Sequence, residues 1–87
     1  MYEIFYEKRV FKDLDKIPNL DVKRIMEVVD GLRGNPLPLG TKKLAGRAAL
    51  YRIRKGDYRI VYSINHALRQ VQITLIRHRK DVYRELQ

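Results

Sequence analysis

Three closely spaced arginines are the first residues of this sequence that suggest chemistry. Arg52 and Arg54 share one face of a predicted strand, and Arg59 lies in the next one, beyond a predicted hairpin turn at Lys55-Gly56. That turn would place Arg52 directly opposite Arg59, a pairing of like charges that costs up to ~1 kcal/mol. A phosphate held between the two guanidinium groups would offset the repulsion. The pattern therefore indicates phosphate binding, and the alternative is a solvated sheet face.

A second basic cluster, Arg77-His78-Arg79-Lys80, stands where the last predicted strand ends. Taken alone, such a run is usually a solvated surface. His78 is its only side chain that titrates near neutrality. We prefer a half-exposed polar position for His78, with proton transfer as the alternative. Tyr83 follows, and it can either pack on the domain or use its ring and phenol to stack on a base or bind a phosphate or ribose.

The positive charge is concentrated in one half of the chain. Of the 87 residues, positions 1–41 contain seven basic and seven acidic side chains, so this half is neutral. Positions 42–87 contain twelve basic and three acidic side chains and therefore carry the whole net charge of +9. Such an asymmetry indicates a polyanionic partner, which can be a nucleic acid, a membrane surface or an acidic protein.

The composition excludes several kinds of site. The sequence has no cysteine, so it has no disulfide framework, thiolate metal site or Cys nucleophile. It has two histidines, His78 and His66, of which His66 is expected in a loop, so a transition-metal site is not expected. No apolar run approaches the ~20 residues of a membrane span. The first residues lack the layout of a signal peptide, and a cytoplasmic location is expected.

The remaining chemical groups suit one reaction class. The sequence contains no phosphate-cradling Gly-rich loop, no HExxH motif and no Ser/His/Asp arrangement. It offers guanidinium and ammonium groups, a phenol and an imidazole. These groups suit RNA cleavage in which the ribose 2′-hydroxyl attacks its own 3′ phosphate, because the protein then only orients the nucleophile, neutralises the phosphorane and assists proton transfer. Such a reaction needs no metal and no cofactor.

The neutral half is predicted to form a strand and a helical hairpin. A strand at Met1–Tyr6 precedes a helix over Glu7–Ile17, whose apolar face is formed by Val10, Phe11, Leu14 and Ile17. A second helix begins at Asn19 or Asp21 and ends before Gly34. Its apolar stripe is formed by Val22, Ile25, Met26, Val29 and Leu32. The two helices are expected to lie antiparallel.

The basic half is predicted to form three strands after a loop at 35–46, namely Leu50–Arg54, Tyr58–Ile64 and Gln70–Ile76. Alternation directs Tyr58, Ile60, Tyr62 and Ile64 towards the core, and in the last strand Val71, Ile73 and Leu75. Asp81–Leu86 can form a last helical turn. The order β-α-α-β-β-β predicts a single α+β domain over residues 1–87, with two helices packed on one face of a small, mainly antiparallel, twisted sheet.

Two stretches of the sequence resemble a known family. The first combines Lys42-Lys43-Leu44, Gly46 and Leu50-Tyr51-Arg52-Ile53-Arg54-Lys55-Gly56-Asp57-Tyr58-Arg59-Ile60-Val61-Tyr62, and resembles the motif of the RelE/ParE toxin superfamily. The second, Arg77-His78-Arg79-Lys80-Asp81-Val82-Tyr83-Arg84, resembles the RelE branch in particular. The resemblance covers the whole chain, because its size and its order of elements also match.

The resemblance implies a toxin of a toxin–antitoxin pair that cuts mRNA in the ribosomal A site and stops translation. By position, Arg52 and Arg54 match basic residues of the sheet face, Arg59 matches a contact to the scissile phosphate, and Arg77 matches the group that stabilises or protonates the leaving group. Tyr83 matches a tyrosine that stacks on the substrate. The candidate RNA-binding residues are Lys42, Lys43, Arg47, Lys55, Arg79, Lys80 and Arg84.

The same resemblance implies two macromolecular partners. One is a RelB-like antitoxin that is acidic where it contacts the basic face and folds as it binds. The other is the ribosome with its mRNA, towards which a domain of this charge is steered, with an affinity that falls steeply with salt. No membrane partner and no small-molecule cofactor are expected.

Two departures from the family pattern bear on mechanism. The best-described members have lysines where this chain has Arg52 and Arg54, and an arginine, with a pKa above ~12, is a poor general base. His78 or Tyr83 then takes that role, or catalysis relies on electrostatics. In addition, simple alternation puts Arg77 on the core side of its strand, so it reaches the basic face only if the strand ends or bulges first.

Two other functions fit the same sequence. The first is a ParE-like protein that inhibits DNA gyrase by binding, without catalysis, since the fold is shared within the superfamily. The combination of Arg59, Arg77 and Tyr83 favours the RelE-like function, because a gyrase binder would not need it. The second is a basic RNA-binding module that is not a toxin.

Overall fold

The computed structural model describes residues 1–44 and 50–81, which contain two helices and five strands. In chain order they are β1 (Glu3–Tyr6), α1 (Lys8–Asp15), α2 (Asn19–Gly31), β2 (Lys42–Lys43), β3 (Leu50–Lys55), β4 (Tyr58–Asn65) and β5 (Gln70–His78). The predicted α+β class is confirmed. Neither of these helices is long and apolar enough to cross a membrane. The predicted turn at Asp81–Leu86 lies, except for Asp81, outside the described residues.

The strands form one mixed sheet in the order β1-β5-β4-β3-β2. β1 runs parallel to β5, and the other neighbours are antiparallel, as expected for a mainly antiparallel sheet. β2 was not predicted: Lys42 and Lys43 lie in the stretch expected to be a loop, and they pair with Arg52 and Tyr51 of β3. Two residues are too few to show a strand period, so only the structure reveals this edge.

The core lies between the helices and one face of the sheet. Tyr62, Ile60, Val71, Ile73 and Ile76 from the sheet are buried against Val10, Ile17, Ile25, Val29 and Leu32. The predicted apolar face of the first helix is wrong at Phe11, which is 57% exposed. The ring of Phe11 lies 5.9 Å from that of Tyr6 at the surface. α1 instead directs Val10 and Asp13 inwards, in line with Ile17 just beyond the end of the helix, so a carboxylate takes part in a buried face.

α1 completes the edge of β5 where β1 stops. β1 pairs with β5 only as far as Ile73. Beyond that point, Arg9 Nε donates a hydrogen bond to the carbonyl oxygen of Thr74 at 2.9 Å. Asp13 Oδ2 accepts one from the backbone N–H of Ile76 at 3.0 Å. Side chains of a helix thus satisfy backbone groups that a neighbouring strand would otherwise pair.

Tyr62 fastens the loop that leads from α2 to β2. Its side chain is fully buried, and its hydroxyl donates to the Pro36 carbonyl oxygen at 2.7 Å. The same hydroxyl lies 3.3 Å from Thr41 Oγ1, so β4 holds the loop near its middle and at its end. Burial raises the pKa of the Tyr62 phenol, because the phenolate form would lose its hydration.

Replacing Tyr62 with Phe should lower the free energy of unfolding by about 1 kcal/mol near neutral pH, because the Pro36 carbonyl loses its buried donor. Since the folded-state pKa is raised, Tyr62 releases its proton more easily in the unfolded chain. The wild type should therefore lose stability as the pH rises above about 10, and Tyr62→Phe should lose less. Urea unfolding at several pH values measures both effects, with Tyr51→Phe as the control. Equal alkaline slopes in wild type and Tyr62→Phe would contradict the expectation.

Candidate functional site

A row of arginines crosses three neighbouring strands. Arg54 of β3 pairs with Arg59 of β4, and Arg59 pairs in turn with Arg77 of β5. Directly opposed residues of antiparallel strands have Cα atoms about 4.5–5.5 Å apart. The sheet therefore brings three predicted site residues side by side at one end of its strands.

The predicted register of the β3–β4 hairpin is wrong. Arg59 lies opposite Arg54, whereas Arg52 lies opposite Val61. The turn consists of Gly56 and Asp57, not Lys55-Gly56, and Gly56 has a φ of +59°. A positive φ at the first turn position suits glycine and fits a type II′ hairpin. The offset is two residues, so each side chain keeps its predicted face and the hydrophobic pattern cannot distinguish the two registers.

A bulge in β5 brings Arg77 beside Arg59. Val61 pairs with Leu75 whereas its neighbour Tyr62 pairs with Ile73, so Thr74 is an extra residue in β5. The extra residue reverses which side chains face the helices. Ile76 is consequently the core residue at this end of the strand, and Arg77 lies on the other side of the alternation.

The sequence prediction for Leu75 is wrong because of the same bulge. It was expected on the core face with Val71 and Ile73, but it follows the bulge and pairs with Val61. Leu75 and Val61 are fully buried and form a separate small cluster, flanked by Leu44 and Leu50. This cluster is an apolar patch on the face of the sheet that carries the arginines.

Three of the predicted arginines share one cleft. The cleft has a volume of about 370 Å³ and is lined by Leu39, Gly40, Lys42, Arg52, Ile53, Arg54 and Arg59. Lys42 pairs with Arg52 across β2 and β3, which adds a fourth cation to the same surface. Arg59 is 8% exposed, whereas Arg54 is exposed, so the cleft has a buried cation at its base and an exposed one at its rim. Such a site binds an anion with several N–H donors at once.

Arg77 and His78 line a second cleft, of about 380 Å³, at the end of β5. Its other lining residues are Asp13, Lys16, Ile17, Tyr58, Ile76 and Asp81. Arg77 Nη1 forms an ion pair with Asp13 Oδ1 and lies 3.3 Å from the Ile76 carbonyl oxygen. The guanidinium of Arg77 is thus turned to the edge of the sheet, although its backbone lies beside Arg59.

His78 lies on the helix side of the sheet, away from the arginine cleft. It pairs with Tyr58, and the two rings meet edge to face at 5.7 Å. Its Nδ1 accepts the backbone N–H of Lys80 at 3.3 Å. His66 occupies the β4–β5 turn as expected, where the Tyr2 hydroxyl lies 2.9 Å from its Nδ1.

The other predicted cations are spread along the surface. Lys43, Lys55, Arg79 and Lys80 are all exposed. Arg79 Nε lies 4.0 Å from Asp57 Oδ1, at the hairpin turn. Lys55 lines a separate groove with Asp21 and Arg24 of α2. Arg47, Tyr83 and Arg84 lie outside the described residues.

Asp13 is the site residue that sequence reasoning missed. Its side chain is 5% exposed, and both of its oxygens are engaged, one by Arg77 and the other by Ile76. The available signal was its spacing, because Asp13 follows Val10 by three residues and precedes Ile17 by four, which places it in the apolar stripe. A carboxylate in such a stripe needs a buried partner.

The fold is shared with solved structures of small toxins. The crystal structure of an archaeal RelE–RelB complex from Pyrococcus horikoshii OT3 contains a chain that is 34% identical, with a TM-score of 0.79 over 90% of this chain and 94% of that one. The isolated E. coli RelE toxin, 21% identical, has the same fold, with a TM-score of 0.77 over 99% of this chain and 95% of that one.

The sequence comparisons give the same family. A family profile described as the ParE toxin of the type II toxin–antitoxin system parDE matches residues 4–83. The putative toxin RelE1 of Methanocaldococcus jannaschii is 31% identical over 86 residues, covering 95% of this chain and 96% of that protein. The toxin RelE of Mycobacterium tuberculosis is 32% identical over 84 residues, covering 95% and 87%. The chain belongs to the ParE toxin family of the RelE/ParE superfamily.

Removing one cation from the row should stabilise the isolated protein. Arg54→Thr keeps a residue suited to a strand and ends the repulsion between Arg54 and Arg59, so the free energy of unfolding should rise by up to about 1 kcal/mol at low salt. The gain should shrink in 1 M salt, where charges are screened within about 3 Å. The matched control is Lys43→Thr, which removes an exposed cation that lies opposite Tyr51. Urea unfolding measures the difference, and a destabilised Arg54→Thr at low salt would refute it.

Proposed function

We propose that this chain is a RelE-like toxin that cleaves mRNA in the ribosomal A site as a metal-independent endoribonuclease and thereby stops translation. The observation that carries the proposal is the alignment of Arg54, Arg59 and Arg77 on adjacent strands, with Arg52 in the same cleft as Arg54 and Arg59. The 2′-hydroxyl of the substrate is the nucleophile, and the protein supplies positive charge where the phosphorane forms.

Each arginine has a distinct part in this reaction. Arg59, at the buried base of the cleft, contacts the scissile phosphate, and the exposed Arg54 and the half-buried Arg52 hold the neighbouring backbone. Arg77, whose backbone pairs with Arg59, stabilises the leaving 5′-oxygen by resemblance to the family. By resemblance, Tyr83 stacks on the substrate base and orients the attack.

The position of His78 supports a reaction that relies on electrostatics rather than on an imidazole base. His78 contacts Tyr58 and the Lys80 backbone on the helix side, so its ring does not face the cleft lined by Arg52 and Arg59. Arginine remains protonated and serves as a donor, not as a base. We therefore assign catalysis chiefly to the stabilisation of phosphorane charge.

Two partners follow from this function. Relatives of this chain have been crystallised in complexes with RelB antitoxins, including those from Pyrococcus horikoshii OT3 and Methanococcus jannaschii. A RelB-like antitoxin that neutralises this toxin would place carboxylates against the arginine cleft. The ribosome is the second partner, and the net charge of +9 favours its encounter with rRNA.

The matched family profile favours one alternative. It is named for ParE, and a ParE-like protein would inhibit DNA gyrase by binding, without cleaving RNA. In that case the arginine row would bind an acidic surface of the enzyme. The two functions differ in what happens to mRNA and to DNA after the toxin is expressed.

Primer extension on mRNA after brief expression tests the function. Cuts within translated codons are expected, and Arg59→Gln and Arg77→Gln should each slow cleavage by about 10²–10³-fold, because each removes a cation from the transition state and keeps most of the stem. Lys23→Gln, on exposed α2 surface, is the matched control and should cleave like wild type. Full cleavage by both arginine variants would overturn their assignment. Intact mRNA with DNA damage and filamentation would establish the ParE-like alternative.

His78→Gln should leave cleavage within a few-fold of wild type, because His78 faces Tyr58 and not the arginine cleft. The substitution should also leave the dependence of the rate on pH unchanged. Single-turnover cleavage on programmed ribosomes between pH 5.5 and 8.5 measures both. A loss of about 10²-fold or more, of the size expected for a general base, would return His78 to that role.

A further inference from the structure

We propose that Asp13, on α1, is the positioning residue of Arg77. The inference rests on the proposed function, because it concerns the placement of the arginine that stabilises the leaving group. Its basis is a contact between the two halves of the chain, in which a residue of the neutral half fixes a guanidinium of the basic half.

Two acceptors engage the same nitrogen of Arg77. Asp13 Oδ1 forms the ion pair with Arg77 Nη1, and the same nitrogen lies 3.3 Å from the Ile76 carbonyl oxygen. A guanidinium carries five N–H donors on a planar frame, so two acceptors at one nitrogen restrict the orientation of the whole group. The side chain of Arg77 remains 21% exposed, so a substrate can still reach it.

The anchor itself is rigid. Asp13 is 5% exposed, and its second oxygen accepts the Ile76 backbone N–H at 3.0 Å. Ile76 is the core residue next to Arg77 in β5, so the carboxylate is fixed to the strand that carries the arginine it holds. A long side chain that would otherwise lose much rotamer freedom on binding substrate is thus ordered beforehand.

The charge of Asp13 is what indicates a role beyond structure. A neutral acceptor such as an asparagine could satisfy the Ile76 N–H equally well, and a buried ion pair is weak evidence for stability because desolvation opposes it. Unlike a neutral amide, the carboxylate carries a negative charge. This charge attracts Arg77 and opposes the repulsion between Arg77 and Arg59, its neighbour in the row. Without it, the guanidinium of Arg77 would lose the orientation that the ion pair imposes at the end of β5.

The test is Asp13→Asn, with Asp15→Asn as the matched control. Asp15 is on the same helix and exposed, so the control makes the same chemical change without touching Arg77. Single-turnover cleavage on programmed ribosomes is measured over a range of ribosome concentrations. For Asp13→Asn we expect the rate at saturation to fall by about 10²-fold, as for a misplaced catalytic group, with the half-saturating concentration unchanged. Asp15→Asn should match wild type.

A double-mutant comparison separates positioning from general damage. If Asp13 acts through Arg77, then Asp13→Asn should have no further effect on the cleavage rate in an Arg77→Gln background. A second loss of similar size in that background would overturn the inference. A wild-type rate for Asp13→Asn would also overturn it, and a faster rate would show that the ion pair holds Arg77 back instead.

A second variant and a second measurement cover the remaining outcomes. If Asp13→Asn does not fold, Asp13→Glu replaces it as the test, because it keeps the charge but displaces the carboxylate. Asp13→Glu should still slow cleavage, and wild-type cleavage by a folded Asp13→Glu would overturn the inference.

NMR of the guanidinium nitrogens should show slow rotation for Arg77 in wild type and faster rotation in Asp13→Asn. This measurement does not depend on cleavage. If the wild type cuts no mRNA, the proposed function is wrong. If the rotation is the same in wild type and in Asp13→Asn, Asp13 does not orient Arg77.

Discussion

The single extra residue of β5 is the feature on which the basic site depends. Before Thr74, alternation directs Val71 and Ile73 into the core, and after it the alternation is reversed, so Ile76 is the core residue. In a regular strand Arg77 would share the face of Ile73 and would enter the apolar space beneath the helices. A guanidinium buried there without a partner would be very costly. The bulge lets one strand serve both the core and the arginine row.

The bulge also lies where the support of β5 passes from a strand to a helix. β1 pairs with β5 up to Ile73, and α1 then takes over through Arg9 and Asp13. A regular β1 of greater length would have paired the backbone of Ile76 and left no place for a carboxylate. Because β1 is short, the edge of β5 is open at the position where Asp13 can reach both the Ile76 N–H and the Arg77 guanidinium.

The sequence predicts the elements well and their relative positions less well. The apolar periods of α2, β4 and β5 are long enough to define these elements, and the class and order were predicted from them. The β3–β4 register was not predicted correctly, because Arg52 and Arg54 lie on the same face in the predicted and in the observed register. The feature that distinguishes the two registers is the φ of Gly56 in the turn. The bulge at Thr74 could not be predicted either, because the residue types of β5 do not indicate it. The role of Asp13 depends on a contact 64 residues away in the chain, which no local pattern contains.

The uneven charge of the chain has its physical meaning in these contacts. Like charges aligned across three strands oppose folding, and Asp13 of the neutral half relieves the repulsion at one end of the row, at Arg77. Arg54 and Arg59 are also adjacent like charges, and an anion bound in the cleft would weaken their repulsion. By mass action, any ligand that binds the folded chain more tightly than the unfolded one also stabilises it. An anion that binds the arginine cleft would therefore also stabilise the folded chain.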